Sequence, residues 1–562
     1  MAKIVKKKKK GLGGISRSAG GSSVETSPLR PQFVEKRPPC GDNCPNYNPI
    51  RKMLMTIQKA ESLGKTPEQA FKEAFYIFLE KTPFPSVCGR VCPHPCESEC
   101  NRKEKEGAVS INKVERYIGD FGLNKKLKPK MLVEESRPEK IAVVGSGPAG
   151  MSCAYQLARR GYKVTVFEAF PKTGGMLRYG IPDYRLPQDI LDAEINRILD
   201  MGVELKLNTS VGNDISIDDL RRDYKATFVA IGAHQGLKLR VKGEEAENVW
   251  TGTDFLHKVN AGEKVEVGDN VVVIGGGDTA IDAARVARRL GAEATILYRR
   301  TRAEMPAIDE EITGAEEEGV RIDLLAAPIE IYQENGRAIG MKCQRMELGE
   351  PDDSGRRRPV PIEGDTYDLK FTTLIAAISQ APDFKGFDDL IEGRDWIKVD
   401  EKYKSIKSDK IYSGGDNINL GLVIDGIYHG RRAALAIDEL LAGKALPVEP
   451  HPMGVIRFDK MKLDYYEKMD RTPITEIPVE ERLGKLDAEI VKTYTDEEAI
   501  KEAKRCMSCG MCFDCGSCWS YCQDNAVIKP LVKGAEYKFK LEFCNGCKKC
   551  AENCPCGYIE MH

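Results

Sequence analysis

The residues of this chain best suited to chemistry are its cysteines, which are concentrated near the two ends. The chain has 19 cysteines in 562 residues; six lie between Cys40 and Cys100 and eleven between Cys506 and Cys556. The lysine run at the start is not followed by an apolar export segment, so we expect a cytoplasmic protein. In that reducing compartment, clustered cysteines are more often metal or cluster ligands than disulfides.

The C-terminal block contains the spacing C-x2-C-x2-C-x3-C twice. Short gaps let one loop wrap three corners of a 4Fe-4S cluster, while the fourth cysteine of each run ligates the other cluster. The predicted ligands are Cys512, Cys515, Cys518 and Cys554 for one cluster, and Cys544, Cys547, Cys550 and Cys522 for the other. Cys506, Cys509 and Cys556 are left over. An alternative ligand set, in which the first run is shifted by one triplet to use Cys509 and free Cys518, also stays open. The alternative to iron-sulfur clusters is a structural site that holds tetrahedral zinc.

The N-terminal block offers six thiols at wider spacing. The candidate ligands there are Cys40, Cys44, Cys88, Cys92, Cys96 and Cys100. Six thiolates complete one 4Fe-4S cluster with two to spare, and a second cluster would need non-cysteine ligands. One cluster, two clusters and a zinc site therefore all stay open. The other two cysteines, Cys153 and Cys343, are isolated in the sequence, which is typical of buried structural thiols.

A glycine-rich turn between an apolar strand and a helix indicates a dinucleotide site. Gly145, Gly147 and Gly150 form G-x-G-x-x-G directly after the run KIAVV. These glycines permit a tight turn and close approach of the backbone to a pyrophosphate, which the helix N-terminus attracts. Glu168 ends the next strand, where a carboxylate can bind the ribose hydroxyls of FAD or NAD and would repel a 2'-phosphate.

A second turn of the same kind lies about 130 residues later. Gly275, Gly277 and Ala280 occupy the corresponding positions, since the last glycine of the motif can be alanine. Here the following strand ends in Arg299 and Arg300 instead of an acid. Because guanidinium groups bind phosphate through charge-assisted hydrogen bonds, the pair favours NADPH, with NADH left open.

The hydrophobic pattern predicts the elements that position these residues. In residues 49–80, apolar residues recur at three- and four-residue spacing around a break at Gly64, which predicts two helices within a small cysteine domain. From residue 140 onward, short apolar runs alternate twice with helical stretches, as in parallel α/β structure. The fold class is multidomain α/β, with a helical iron-sulfur domain, two Rossmann-like domains and a C-terminal ferredoxin-like domain with two 4Fe-4S clusters.

A later segment distinguishes the two nucleotide sites. The strand ending in Gly414, Gly415 and Asp416 resembles the closing FAD motif of two-dinucleotide-binding-domain flavoproteins, in which the Asp contacts the flavin side chain. The resemblance implies FAD in the first unit and the pyridine nucleotide in the second. The segment KTGGMLRYGIPDYRLP, which contains Gly175 and Arg185, resembles the loop that lies beside the flavin in that family.

Composition and the resemblance together give the expected domain order. The boundaries are 1–30 for a flexible basic tail, 31–130 for the helical iron-sulfur domain, 131–250 with 376–445 for the FAD domain, 251–375 for the NAD(P)H domain, 446–495 for a Pro-rich linker, and 496–562 for the ferredoxin-like domain.

From Cys40 onward nearly the whole chain resembles the small-subunit family of NADPH-dependent glutamate synthase. Its final module, from EAKRCMSCGMCFDCGSCWSYC to FCNGCKKCAENCPCG, is most similar to DsrL-type electron-transfer flavoproteins of dissimilatory sulfite reductase systems. The resemblance implies that NADPH or NADH gives a hydride to FAD and that 4Fe-4S clusters carry single electrons onward. No catalytic acid, base or nucleophile is expected.

The implied acceptor is a dissimilatory sulfite reductase. The alternative partner is a glutamate synthase large subunit or a ferredoxin. The alternative to an enzymatic function is a non-catalytic regulatory module that binds clusters. The 85 Lys and Arg residues nearly balance 86 Asp and Glu residues, which argues against nucleic-acid binding. No apolar run approaches the roughly 18 to 20 residues of a membrane span, and a homodimer is left open.

Overall fold

The computed structural model describes residues 27–353, 355–391, 396–451 and 453–562. Most of the predicted basic tail, residues 1–26, lies outside the described residues. The N-terminal elements are β1 (Pro31–Phe33), α1 (Pro39–Asp42), α2 (Ile50–Gln58), α3 (Pro67–Leu79), α4 (Pro85–Val91), α5 (Pro95–Ser98) and α6 (Ile111–Asn124). The two helices predicted around Gly64 are therefore confirmed as α2 and α3. Thr66 and Gln69 start α3 with a capping box.

The first α/β unit follows directly. Its elements are β2 (Lys140–Val144), α7 (Pro148–Ala158), β3 (Lys163–Phe167), α8 (Met176–Tyr179), α9 (Gln188–Leu199), β4 (Glu204–Lys206), α10 (Ile217–Asp223) and β5 (Ala226–Val229). The predicted strand-turn-helix order is present, and the interior positions of β2, β3 and β5 are buried, as expected for a sheet covered on both faces.

The second α/β unit carries an antiparallel arm. Its elements are β6 (Gln235–Gly236), β7 (Val249–Thr251), α11 (Gly252–Asn260), β8 (Asn270–Ile274), α12 (Asp278–Arg289), β9 (Glu293–Tyr298), α13 (Asp309–Glu317), β10 (Arg321–Leu324), β11 (Ala326–Glu334), β12 (Arg337–Pro351), β13 (Arg357–Lys370), β14 (Thr373–Ala376) and β15 (Gln380–Ala381). Five strands form a parallel sheet in the order β10-β9-β8-β14-β7, and β11, β12 and β13 form the arm. The chain crosses between the two units through the antiparallel pair β6 and β15.

The remaining elements complete the first unit and build the C-terminal end. They are β16 (Ile411–Ser413), α14 (Val423–Ala442), α15 (Val479–Gly484), α16 (Asp496–Lys504), α17 (Ser517–Ser520), β17 (Val527–Ile528), β18 (Lys538–Phe539), α18 (Lys549–Glu552) and β19 (Ile559–Met561). Strand β16 closes the first parallel sheet, whose order is β16-β5-β2-β3-β4. The N-terminal strand β1 pairs antiparallel with β19, so the two ends of the chain meet.

The segment predicted as a linker is packed against three parts of the molecule. Ile490 lies in the core of the second unit, and Tyr494 lies in the core that the helical domain shares with the first unit. Arg116 of α6 donates a hydrogen bond to the Val491 carbonyl at 2.6 Å. Apolar side chains at the end of the segment bind it to both cores. Among the described residues, no helix combines the length and apolar character needed to cross a membrane.

Candidate functional site: two adjoining cavities and four groups of thiols

The carboxyl ends of β2, β3 and β16 open onto a cavity of about 500 Å³. Parallel sheets bind ligands at this edge because the turns there leave strand ends and helix N-termini facing the same space. Six predicted cofactor residues line the cavity: Gly145, Gly147, Glu168, Gly175, Gly415 and Asp416. Residues from both halves of the predicted FAD domain therefore surround one space.

The glycine turn after β2 needs its glycines for two different reasons. Gly145 has φ of +98°, and a Cβ there would lie 2.2 Å from the Ala230 carbonyl oxygen. A Cβ at Gly150 would lie 1.9 Å from the Gly145 carbonyl oxygen, so α7 is seated directly on the turn. At Gly147 no atom lies within 4 Å of the equivalent position, so that face of the turn is open space. A backbone cradle of this kind fits the pyrophosphate of FAD.

Glu168 is held rigidly at the wall of this cavity. Its side chain is nearly fully buried, and its carboxylate accepts hydrogen bonds from the backbone N-H groups of Ser146 and Phe170, both at 2.9 Å. The carboxylate is thus fixed beside the glycine turn, where its predicted ribose contact would be made.

Asp416 lies where this cavity meets a second one. Its carboxylate accepts a hydrogen bond from the Gly421 N-H at 3.2 Å. Burial, together with the nearby Asp425 carboxylate, raises the pKa of Asp416 to about 6. The preceding residue, Gly415, donates its N-H to Nδ1 of His429 at 3.1 Å, which fixes the turn after β16.

The second cavity, of about 600 Å³, lies at the carboxyl ends of β8, β9 and β14. Gly275 approaches the Ala377 carbonyl so closely that a Cβ would lie 2.2 Å from its oxygen, while a Cβ at Gly277 would meet only the Pro306 ring, at 3.9 Å. Ala280 is fully buried in α12 and supports the turn from behind, without lining the cavity. The second turn therefore has the same cradle form as the first.

The two predicted phosphate-binding arginines differ in their surroundings. Arg299 is exposed and lines the cavity. Arg300 also lines it, but its side chain is buried, pairs with Asp352 at 2.6 Å and donates to the Arg357 carbonyl at 2.7 Å. A third arginine, Arg356, lines the cavity from the arm. It was not predicted from the sequence, where it stands in the run RRR at 356–358. Arg299 is the better placed of the predicted pair for a 2'-phosphate.

Arg185 does not reach the first cavity, so its predicted role there is corrected. Its guanidinium pairs with Asp282 of α12 at 2.7 Å and lies 3.3 Å from Glu311. Both members of the Arg185–Asp282 pair are buried, and an unpaired charge in that position would be costly. Arg185 therefore ties the first unit to the second.

Four N-terminal thiols and one carboxylate form a second kind of site. Glu115 of α6 is close enough to Cys44, Cys88 and Cys92 to influence their thiols, and Cys96 lies near Cys44 and Cys92. Burial raises the pKa of each thiol, and Glu115 raises the pKa values of Cys44, Cys88 and Cys92 further. Oε1 of Glu115 is buried without a hydrogen-bond partner among the described residues. An unpaired buried carboxylate among thiols fits a non-cysteine cluster ligand, which the sequence analysis required but did not identify.

The C-terminal thiols lie close enough to influence one another. Burial raises the pKa of Cys518 to about 12, with further contributions from Cys515, Cys554, Cys512 and Cys550. Burial also raises the pKa of Cys550 to about 12, with contributions from Cys544, Cys547 and Cys522. This grouping includes Cys518 and so favours the unshifted run, and the ligand assignment itself stays a prediction. Cys556 is buried, with its sulfur 3.8 Å from that of Cys554.

Comparisons with known proteins match the N-terminal cysteine domain and the part of the chain that forms the two cavities. Residues 139–434 match the family described as pyridine nucleotide-disulphide oxidoreductase, and residues 34–127 match dihydropyrimidine dehydrogenase domain II, 4Fe-4S cluster. The chain is 37% identical, over 85% of its length and 76% of the relative's, to the NADPH-Fe(3+) oxidoreductase subunit beta of Geobacter sulfurreducens.

Two further relatives extend the comparison. The chain is 40% identical to the NADP(+)-dependent formate dehydrogenase subunit beta of Moorella thermoacetica, over 72% of the chain and 60% of the relative. It is 33% identical to the glutamate synthase [NADPH] small chain of Escherichia coli, over 71% of the chain and 87% of the relative.

Proposed function

This chain belongs to the pyridine nucleotide-disulphide oxidoreductase family, and from that premise we propose that it oxidises NADPH and passes the electrons singly to a protein acceptor. One observation carries the proposal: Gln380, Asp416 and Gly421 line both cavities, so the two cofactor sites share a wall. FAD bound in the first cavity would accept two electrons as a hydride from a nicotinamide and release them one at a time to 4Fe-4S clusters.

The residues of the chain bind and orient the cofactors. The glycine turns present backbone N-H groups to the two pyrophosphates, and Glu168 is fixed for the ribose of the first nucleotide. Arg299 supplies positive charge at the second cavity. The buried Arg185–Asp282 pair holds the two units together, so that the shared wall keeps its shape.

The groups of thiols continue from the first cavity toward the C-terminal end. Asp425, two residues after Val423 of the cavity wall, is close enough to Cys92 to contribute to its raised pKa, after the larger effect of burial. Farther along, burial raises the pKa of Tyr466, with smaller contributions from Cys556, Cys509, Cys506 and Cys554, so thiols of both C-terminal segments lie near it. This continuity supports a relay that ends in the predicted ferredoxin-like domain.

The experiment that tests the proposal is to mix the purified protein with NADPH under argon. We expect the flavin absorbance to bleach as soon as the two solutions are mixed, because the cavities proposed for FAD and NADPH adjoin. Absorbance that stays unchanged with excess NADPH would contradict the proposed reaction.

Arg299 provides a test of the nucleotide preference. Replacing it (Arg299→Ser) is expected to raise KM for NADPH by about 10- to 100-fold, since a charge-assisted hydrogen bond to phosphate is worth roughly 1.5 to 3 kcal/mol. The KM for NADH should change little. Arg302→Ser is the matched control, because Arg302 pairs with Glu316 on the surface. Equal effects of Arg299→Ser on both nucleotides would remove the 2'-phosphate role.

We propose dissimilatory sulfite reductase as the acceptor, on the resemblance of the C-terminal module to DsrL-type proteins. NADPH oxidation should then accelerate when purified sulfite reductase and sulfite are added. The alternative acceptor is a glutamate synthase large subunit, supported by the Escherichia coli relative. Acceleration by that subunit with glutamine and 2-oxoglutarate, and none with sulfite reductase, would decide for the alternative.

A further inference from the structure

We propose that Cys506 and Cys509 join Cys40 and Cys100 as the four ligands of one 4Fe-4S cluster, which the two ends of the chain build together. This inference goes beyond the proposed function, because it concerns which residues hold metal and can be tested without any electron transfer. It accounts for two of the three C-terminal cysteines that the ferredoxin-like spacing leaves over.

The four thiols line one internal cavity. The other residues that line it are mainly apolar, among them Leu54, Val109 and Ile111, with the side chains of Arg51 and Arg102 also present. All four are free cysteines. A mainly apolar space bordered by four thiols suits a cubane cluster, which takes one cysteine sulfur at each of its four irons.

The sequence spacing of two of these thiols also suits a cluster. The C-x2-C spacing of Cys506 and Cys509 lets one turn supply two corners. Arg51 and Arg102 bring positive charge to the same cavity, beside the thiols.

Hydrogen bonds from the N-terminal domain fix the backbone of the Cys506–Cys509 turn. Arg51 of α2 donates to the Cys509 carbonyl at 2.6 Å, and Gln58 of the same helix donates to the Cys506 carbonyl at 3.1 Å. Arg102 donates to the Arg505 carbonyl at 3.1 Å. These donors place the turn before any metal is bound.

The residue that precedes the turn is itself locked into the N-terminal domain. Arg505 is fully buried and donates to the carbonyls of Gly107 and Ala108, both at 2.7 Å. It also pairs with Glu502 at 2.6 Å, and Glu502 accepts the Ser110 N-H at 2.7 Å. We therefore place the boundary of the ferredoxin-like module after Cys509, because α16 and the turn belong to the helical domain by their contacts.

This ligand set resolves the shortage of N-terminal cysteines. With Cys40 and Cys100 used here, Cys44, Cys88, Cys92 and Cys96 remain as four thiols for a separate cluster, which then does not need Glu115 as a ligand. Together with the two clusters predicted from the C-terminal spacing, the chain would hold four.

The test is the metal content of anaerobically purified full-length protein. Cys506→Ala with Cys509→Ala should lose about four iron atoms and about four acid-labile sulfides per chain relative to the unchanged protein. The FAD content, measured on the same samples, should be retained. Cys343→Ala is the control, because Cys343 is also a free cysteine but lies in β12 of the arm, and it should lose no iron.

A combination of variants separates a shared cluster from general damage. Cys40→Ala with Cys506→Ala should lose no more iron than Cys40→Ala alone, because both residues serve the same cluster. Losses that add would assign the two cysteines to different clusters and overturn the proposal. Full iron content in the Cys506→Ala, Cys509→Ala variant, or the loss of zinc in place of iron, would also overturn it.

Discussion

Replacing Gly150 by valine (Gly150→Val) is expected to abolish flavin binding. A Cβ at this position would meet the Gly145 carbonyl oxygen at 1.9 Å, which is backbone and cannot rotate away. The start of α7 must then move off the glycine turn, and the backbone donors lose their alignment with the pyrophosphate. Overpacking of this kind costs up to about 3 kcal/mol, so we expect the Kd for FAD to rise by about 100-fold.

The measurement is the flavin absorbance of the purified variant, followed by FAD titration of the apoprotein. Gly484→Ala is the matched control: no atom lies within 4 Å of a Cβ at Gly484, and the residue lies outside both cavities. It should bind FAD normally. A Gly150→Val protein that is purified with a full complement of flavin would show that the first cavity is not the flavin site.

Replacing Arg505 by methionine is expected to loosen the junction between the helical domain and the C-terminal end. The substitution leaves Glu502 buried without its counter-charge and removes donors from the carbonyls of Gly107 and Ala108. Breaking one partner of a buried ion pair costs about 3–5 kcal/mol. Amide hydrogen exchange in α16 should therefore accelerate by at least about 100-fold.

The matched control for this prediction is Arg457→Met. Arg457 pairs with Glu99 at 2.7 Å, but its side chain is 59% exposed, and surface pairs contribute at most about 1 kcal/mol. Exchange in α16 should be unchanged in that variant. If Arg505→Met leaves exchange in α16 at the rate of the unchanged protein, the helix is held by something other than the Arg505 contacts.

Local sequence pattern was sufficient for the two nucleotide cradles. Gly145, Gly150 and Glu168 could be predicted because a strand, a tight turn and a helix are determined by neighbouring residues. The role of Arg185 could not be predicted in this way. Its loop has the expected sequence, but its side chain is oriented by Asp282, which lies on α12 of the other unit.

The candidate cluster ligands of the N-terminal domain were equally hard to predict, because they come from distant parts of the sequence. Cys506 and Cys100 are about 400 residues apart, and their spacing in the sequence holds no sign that they meet. Glu115 is one of 86 acidic residues, and it is singled out only by its burial among thiols. The leftover cysteines were the one available signal in the sequence. The C-terminal block has more cysteines than its two runs use, and the N-terminal block has fewer than two clusters need.

We propose that electrons pass from NADPH through the flavin site to the clusters. The most direct test equilibrates the anaerobic protein with a series of NADPH to NADP+ ratios and records flavin absorbance and cluster EPR signals on the same samples. We expect the flavin absorbance and the EPR signals to respond to the ratio, and neither signal to respond in Gly150→Val. A flavin that is reduced while every cluster signal stays constant across the series would contradict the proposed electron transfer.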